Sequence, residues 1–506
     1  MGTRLRALAR ALQRNGAEEP LPPVAGRSAA SFFAEPEGDM PVRRICHGAS
    51  CFQRERPPAS FASAIPVHCL GYCDRSPVAM DESGRLLTWT GEELADGDES
   101  HPSIRCQARK AIVTRNLAPG LGTPLAAARE RGAYQALEAV LPGSPEALLD
   151  SVLDSGLRGR GGAAFPTGLK WQACARVDSR VKYVIANGDE GDPGSFIDRL
   201  LMEVDPHAVI EGLMLCGYAV GARHGLIYVR AEYPRAAAAL EQALAECRAV
   251  RLLGERILGT RFSFDVRIAR GRGSYVCGEE TAMINAIEGM RGEVRMRPPY
   301  PTEAGLNDCP TVVDNVETLV NIPWIVANGA ANYRALGSPE SAGTKVLCLN
   351  AGFRKTGILE VEFGISLREV LEGWAGIRAE SLAAVLLGGP MGSILTPEEW
   401  DVPVCYGAMS REGVRLGHGG LVAAPLDTDW DDLLRHWLGF MASESCGRCV
   451  PCSEGSRIAL RRARAGSVDK TALADLFDLM SGTSLCAFGR LTPGPLRRIL
   501  ELRSSP

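Results

Sequence analysis

The chain has 506 residues, of which 45% are hydrophobic and 23% charged, and it carries a net charge of −4. That length exceeds what one hydrophobic core serves, so roughly two to four domains are expected. The slight acidity excludes a nucleic-acid or anionic-membrane surface as partner, and no run reaches the ~18–20 apolar residues that span a bilayer.

Sixteen cysteines are the unusual feature. Half fall in two groups and half are scattered singly, the distribution of metal-binding thiols against a background of buried ones. A reducing compartment, the cytoplasm, suits them.

Residues 1–40 are rich in Pro, Ala and Arg and read as a loosely ordered tail. Arg4, Arg6, Arg10 and Arg14 precede the first acid, Glu18, with no apolar stretch, so the segment reads as an amphipathic tail or an organellar presequence and not as a secretory leader. Residues 41–95 form a short cysteine-bearing module with a strand at Arg85–Thr88. Its Cys46-x4-Cys51 and Cys69-x3-Cys73 pairs suit either a [2Fe–2S] centre or tetrahedral zinc. His47 and His68 lie beside them without Rieske spacing and read as bystanders. A Gly/Asp/Ser/Pro linker covers Asp96–Arg105.

From 107 to 335 helix and strand alternate, which argues for an α/β layer structure. The helices are Ser144–Ser155, Ala208–Ala222, Tyr233–Val250 and Thr281–Ile287; the strands are Tyr183–Ala186, Gly225–Val229 and Phe264–Ile268. Three loops stand out. The first, Ser155 to Trp171, holds Gly156, Gly159, Gly161, Gly162 and Gly168, whose bare backbone lets a ligand approach closely, with Arg160 and Lys170 adding charge for a phosphate. It follows a helix, so it is not an ordinary dinucleotide fingerprint. The second, Asn187 to Phe196, sits at a strand's carboxyl end, where α/β sheets bind ligands. Its acids Asp189, Glu190 and Asp192 are suited to ribose hydroxyls, and a carboxylate there repels a 2′-phosphate. The third, Gly271 to Thr281, follows a strand and opens a helix, completing a third wall. No Walker A lysine, G-x-S-x-G or H-E-x-x-H is present, as befits cofactor chemistry.

Residues 340–425 change to a small α+β pattern, with strands Lys345–Leu349, Ile358–Phe363 and Ala383–Leu387 and a helix at Leu367–Trp374. Helices Trp430–Phe440 and Lys470–Met480 then flank Cys446-x2-Cys449-x2-Cys452 and the remote Cys486. Three close thiolates plus a distant fourth favour a [4Fe–4S] cube over zinc, whose ligands come in pairs.

Together these loops, Val312-Val-Asp-Asn-Val-Glu-Thr318 and Glu444 to Gly455 resemble the NADH-binding flavoprotein subunit of respiratory complex I and its relatives, the diaphorase subunits of NAD-reducing hydrogenases and soluble NAD-dependent formate dehydrogenases. The likeness covers residues 107–500. The run Cys69 to Pro77 is similar to a reduced thioredoxin-like [2Fe–2S] module, and its fusion here looks most like a formate dehydrogenase beta subunit. The resemblance implies a Rossmann-like FMN/NADH domain at 107–335, a ubiquitin-like SLBB domain at 340–425 and a helical [4Fe–4S] domain at 430–500. It implies FMN held by Gly159, Arg160, Gly161, Lys170, Asn187, Asp189, Gly278, Glu279, Asp314, Asn315 and Thr318. It implies NADH near Gly162, Phe165, Glu190, Asp192, Glu280, Arg297 and Tyr300, with Glu190 as the catalytic-site acid. Asp314 stands where the family has Asn, and Ala173 where it has Phe. Implied partners are a thioredoxin-like [2Fe–2S] subunit and a large molybdenum/iron–sulfur or equivalent subunit.

Overall fold

A computed structural model describes residues 43–54, 64–117, 124–466 and 470–503; the expected tail at 1–40 lies outside them. In the N-terminal module, strands β1 (Arg44–Cys46), β2 (Ile65–Val67), β3 (Val78–Met80), β4 (Leu86–Trp89) and β5 (Leu94–Asp96) form one sheet in the order β2-β1-β3-β4-β5.

The segment read as a linker up to Arg105 is a strand in its last residues. Strand β6 (Ile104–Cys106) pairs in parallel with a strand more than 250 residues away. A three-residue strand is too short to leave a periodic signal and acquires its partner only in the folded chain.

Strands β7 (Tyr183–Gly188), β8 (His224–Val229), β9 (Asp265–Arg270) and β10 (Thr311–Asn315) form an all-parallel sheet in the order β10-β7-β8-β9. The chain steps from β7 outward to β9, then returns to β7's other side. The crevice between the carboxyl ends of β7 and β10 is therefore the topological switch point, where open α/β sheets bind ligands. Register places Asn187 opposite Asn315 at its mouth.

Helix Pro206–Val220 is apolar on nearly every face and almost wholly buried, as its composition requires. Its Glu211 is buried, and burial pushes its carboxyl up to about 7; the backbone N–H groups of Tyr134 and Leu137 satisfy it.

After a short hairpin of β11 (Gly337–Ser338) and β12 (Ser341–Ala342) come β13 (Thr344–Leu349), β14 (Gly357–Glu362), β15 (Leu382–Leu387), β16 (Ser393–Leu395) and β17 (Gly420–Pro425). They make a mixed sheet in the order β16-β15-β17-β13-β14-β6, with the β13–β14 hairpin antiparallel and β13–β17 parallel. A single wide helical turn, Glu369–Trp374, crosses it, the plan of a ubiquitin-like fold. Helices Trp430–Glu444, Val450–Arg464, Lys470–Thr483, Ala487–Leu491 and Pro493–Leu502 close the chain around Trp437, Phe440, Phe477 and Leu496. Among the described residues, no helix is long and apolar enough to cross a membrane.

Buried polar groups lock these layers together. Glu360 on β14 is fully buried and accepts the N–H groups of Ile112, Val113 and Thr114 and the hydroxyls of Thr114 and Thr344. Replacing Glu360 by Ala strands these donors and is expected to cost about 3 kcal/mol or more. A thermal melt should fall by roughly 5 °C; an unchanged midpoint would show that water replaces the carboxylate.

Candidate functional site at the parallel sheet's switch point

The glycine-rich loop closes on itself before helix Thr167–Arg176. Gly159 donates its N–H to the Phe165 carbonyl and Thr167 donates to that of Leu157. Gly162 adopts φ 113°, which only glycine holds without strain. Gly161 lies against the mouth of the crevice, where an added Cβ would stand 3.0 Å from the Asn315 Cβ.

Asn315 caps the helix Val316–Asn328 by accepting the Thr318 N–H, and the Arg160 N–H donates to the Thr318 hydroxyl at 2.8 Å. A helix N-terminus and a bare glycine loop thus face each other, a setting that favours a phosphate. The second and third loops meet on the other side: Asn187 Nδ2 donates to the Gly278 carbonyl at 2.8 Å. Asp189 Oδ2 is buried beside Gly278 and accepts no hydrogen bond, and burial holds its carboxyl well above the usual range. An orphaned acceptor of this kind is costly unless a ligand supplies a donor. Ribityl and ribose hydroxyls do so, and the residues present therefore fit FMN.

Two expected roles need correction. The Arg160 guanidinium does not reach the phosphate cradle. It is fully buried, donates to the carbonyls of Thr344, Ala342 and Arg158 and to Tyr333, and stacks on Phe363. Its charge serves the junction with the ubiquitin-like sheet; only its backbone belongs to the loop. The Glu190 carboxylate is likewise turned inward. It accepts the N–H groups of Asp198 and Arg199 at the start of helix Ile197–Val204, and Tyr233 donates to it. With its side chain fully buried, it offers no open charge to repel a 2′-phosphate. Burial, then Asp198, pushes it up to about 7.

Lys170 donates to the Val313 carbonyl and pairs with Asp314 at 3.2 Å, while Trp171 donates to the other oxygen of Asp314 at 2.6 Å. The unusual Asp314 is thus neutralised by the lysine below it. Asp192 accepts the Tyr275 hydroxyl, and Glu279 caps helix Glu280–Ile287. Arg297 pairs with both Glu279 and Glu280. Phe165 (51% exposed) and Tyr300 (53%) stand open, as does Ala173.

Both cysteine sets are assembled. Cys452 is buried near Cys446, Cys449 and Cys486, and burial pushes it up to about 12. Cys486 is raised to about 11 by burial although the N–H groups of Gly489 and Phe488 point at it. Four clustered thiols with backbone donors form a competent thiolate set once a metal's charge reverses these shifts. In the N-terminal set, Cys69 and Cys73 sulfurs lie 3.6 Å apart and Cys46 touches both Cys51 and Cys69. His68 Nε2 is engaged by the Ser443 hydroxyl and its ring packs edge-on against Phe440.

Sequence reasoning did not single out His418, Asp198, Arg230 or Tyr233. Arg230 donates to the carbonyls of both Glu190 and Cys69, tying the acidic loop to the N-terminal module. The glycines at 417, 419 and 420 were the available sign that His418 sits on a forced turn.

Comparison with known proteins agrees with this geometry. Residues 152–324 match the Nuo51 FMN-binding domain, and residues 432–503 match the NADH-ubiquinone oxidoreductase-F iron-sulfur binding region. The chain is 41% identical to the NADH-quinone oxidoreductase F subunit 2 of Rhizobium meliloti over 399 residues, 77% of this chain and 95% of that one. It is 40% identical to the NADP-reducing hydrogenase subunit HndC of Solidesulfovibrio fructosivorans over 376 residues, 73% of this chain and 76% of the relative. A crystal structure of an NAD+-reducing [NiFe]-hydrogenase in the air-oxidized state superposes with a TM-score of 0.77 at 28% identity, covering 99% of this chain and 90% of that one.

Two substitutions test the site. Gly161→Val drives a side chain into Asn315, and the purified protein should lose most of its flavin absorbance after desalting. Cys486→Ser should lower bound iron by roughly four atoms per chain while leaving flavin in place; unchanged iron would remove Cys486 from the ligand set.

Proposed function

The chain belongs to the family of NADH-quinone oxidoreductase F subunits, and from that premise we propose that it passes electrons between NAD(H) and a partner redox subunit through the switch-point crevice and the C-terminal cysteines. Members of this family are FMN-dependent NADH oxidoreductase subunits with a [4Fe–4S] centre, and they work inside larger complexes. FMN, when bound, supplies the exchange of a hydride with NAD(H) for single electrons with an iron–sulfur centre.

One observation carries the reading: a single loop serves both sites. Gly278 faces Asn187 and Asp189 in the crevice, while Val276 and Ala282 pack with Cys446 and Cys486. The protein's own work is orientation. Asn187 and Asn315 fix the two strand ends. Arg230 and Tyr233 hold the Glu190 carbonyl. Glu279, as a helix cap, keeps the third loop against both. Phe165, Tyr300, Arg297 and Asp192 are the residues we assign to the nucleotide. We assign 107–335, 340–425 and 430–500 as the flavin, ubiquitin-like and cluster-bearing domains, with β6 belonging to the second.

The N-terminal cysteine module extends the relay. Its carbonyl at Cys69 is bound by the same Arg230 that holds Glu190, which supports a second centre beside the crevice. We assign it [2Fe–2S]. The fused module supports a formate dehydrogenase as the parent complex, with a large molybdenum-bearing subunit as partner and the cytoplasm as location. The likeness to the hydrogenase chain over 99% of this chain supports the second reading, a hydrogenase diaphorase.

Anaerobic visible spectra before and after NADH test the core of this reading. Bleaching of flavin and iron–sulfur features together is expected. Cofactor-loaded protein that does not bleach would leave only a relay or scaffold role. Co-purified partner subunits assayed with formate and with hydrogen separate the two parent complexes.

A further inference from the structure

The ubiquitin-like sheet sends one turn, Leu416 to Gly420, into the parallel-sheet domain. Gly417 and Gly419 both adopt positive φ, 54° and 91°. A Cβ on Gly417 would stand 2.3 Å from the Gly388 carbonyl oxygen, so no other residue fits. On its far side the turn touches the glycine-rich loop: a Cβ on Gly162 would meet Gly417 and the His418 nitrogen at 3.5–3.7 Å. The turn's projecting side chain is His418, whose ring is buried.

The ring lies between two buried carboxylates. Nε2 is 3.0 Å from Asp198 Oδ2 and 3.2 Å from Asn315 Nδ2, and Nδ1, which makes no hydrogen bond, lies 3.5 Å from Glu190 Oε1. The doubly protonated ring offers an N–H to each acid, and a cation between two desolvated carboxylates offsets their mutual repulsion. Each acid governs one wall of the crevice. Asp198 accepts Asn315 Nδ2 at 2.5 Å and the Glu317 N–H at 3.0 Å, which fixes the β10 side. Glu190 belongs to the loop after β7.

We propose that His418 is a positioning residue for the flavin and nucleotide site, a cationic wedge from the ubiquitin-like domain that sets the spacing of the loops after β7 and β10 without touching either ligand. This rests on the flavin reading of the crevice given above. It also makes that site depend on the docking of a domain that contributes no residue to the expected ligand set.

The charges facing the ring are Asp198, Glu190 and, further along the same loop, Asp192; Lys345 on β13 opposes them and is itself paired with Glu317. Burial works against the charged ring, but Asp198 and Glu190 outweigh it and push His418 up to about 9. A cation whose pKa is raised on folding stabilises below its unfolded value and loses that contribution as pH rises through the folded one. With Glu190 near 7 and His418 near 9, the wedge is most fully ionic midway between the two values and loses charge toward either.

The test measures FMN dissociation from full-length, cluster-loaded protein by flavin fluorescence, from pH 7.5 to 10, for wild type and His418→Gln. Wild type should hold FMN evenly to pH 8 and weaken through about pH 9. His418→Gln keeps a donor to Asp198 but no charge; it should bind FMN about tenfold more weakly at pH 7.5 and show no further limb. Equal affinity with the same limb in both proteins would overturn the proposal. If the variant does not fold, wild type decides alone: a limb near pH 9 supports the wedge and a flat profile rejects it. Wild type that binds no FMN at any pH would instead reject the flavin reading itself.

Discussion

A carboxylate taken out of water must find donors, and this constraint organises the seam between the parallel sheet and the ubiquitin-like sheet. Glu317 is fully buried and pairs with Lys345 from β13, also fully buried, while accepting the Val346 N–H. Asp198 and Glu190 take His418 from the loop before β17. In the other direction Arg160 crosses from the glycine-rich loop to carbonyls of the opposite domain. The charges that look in sequence like ligand-binding groups are in several cases spent on this seam. The crevice then owes its shape to backbone, glycines and two asparagines, held from behind by buried ion pairs.

The chain's second organising feature is convergence. The N-terminal cysteines, the crevice and the C-terminal cysteines meet around a few side chains. Arg230 touches the first two through the carbonyls of Cys69 and Glu190. Tyr275 joins the crevice to the cluster domain: its hydroxyl donates to Asp192, its N–H to Glu444, and its ring packs on Phe440 and Phe488. Burial pushes Glu444 up to about 7, so this contact too lies in desolvated surroundings. Three modules that are separate in sequence thereby share one buried junction.

The regular elements were legible in sequence because their periodicities are strong. The strands Tyr183–Gly188 and His224–Val229 and the buried helix around Glu211 appear where the pattern put them, within one or two residues. Strands of three residues, such as Ile104–Cys106 and Ser393–Leu395, carry too few side chains to show a period and exist through distant pairing. The three loops were legible as ligand walls, since glycine density is local information. The direction of their charged side chains was not. Arg160 turns inward because Thr344, Ala342 and Tyr333, distant in sequence, accept its hydrogen bonds, and Glu190 because Asp198, Arg199 and Tyr233 donate to it and the distant His418 pairs with it.

Joined sites, rather than a list of motifs, are the substance of this account: a crevice and a cysteine cluster built on opposite faces of the Gly271–Thr281 loop. Low-temperature electron paramagnetic resonance of the cofactor-loaded protein after stepwise anaerobic addition of NADH tests this most directly. The [4Fe–4S] signal is expected to rise with NADH in wild type and to be lost in Cys486→Ser while the flavin still bleaches. Flavin bleaching in wild type with no iron–sulfur signal at any level of NADH would contradict it.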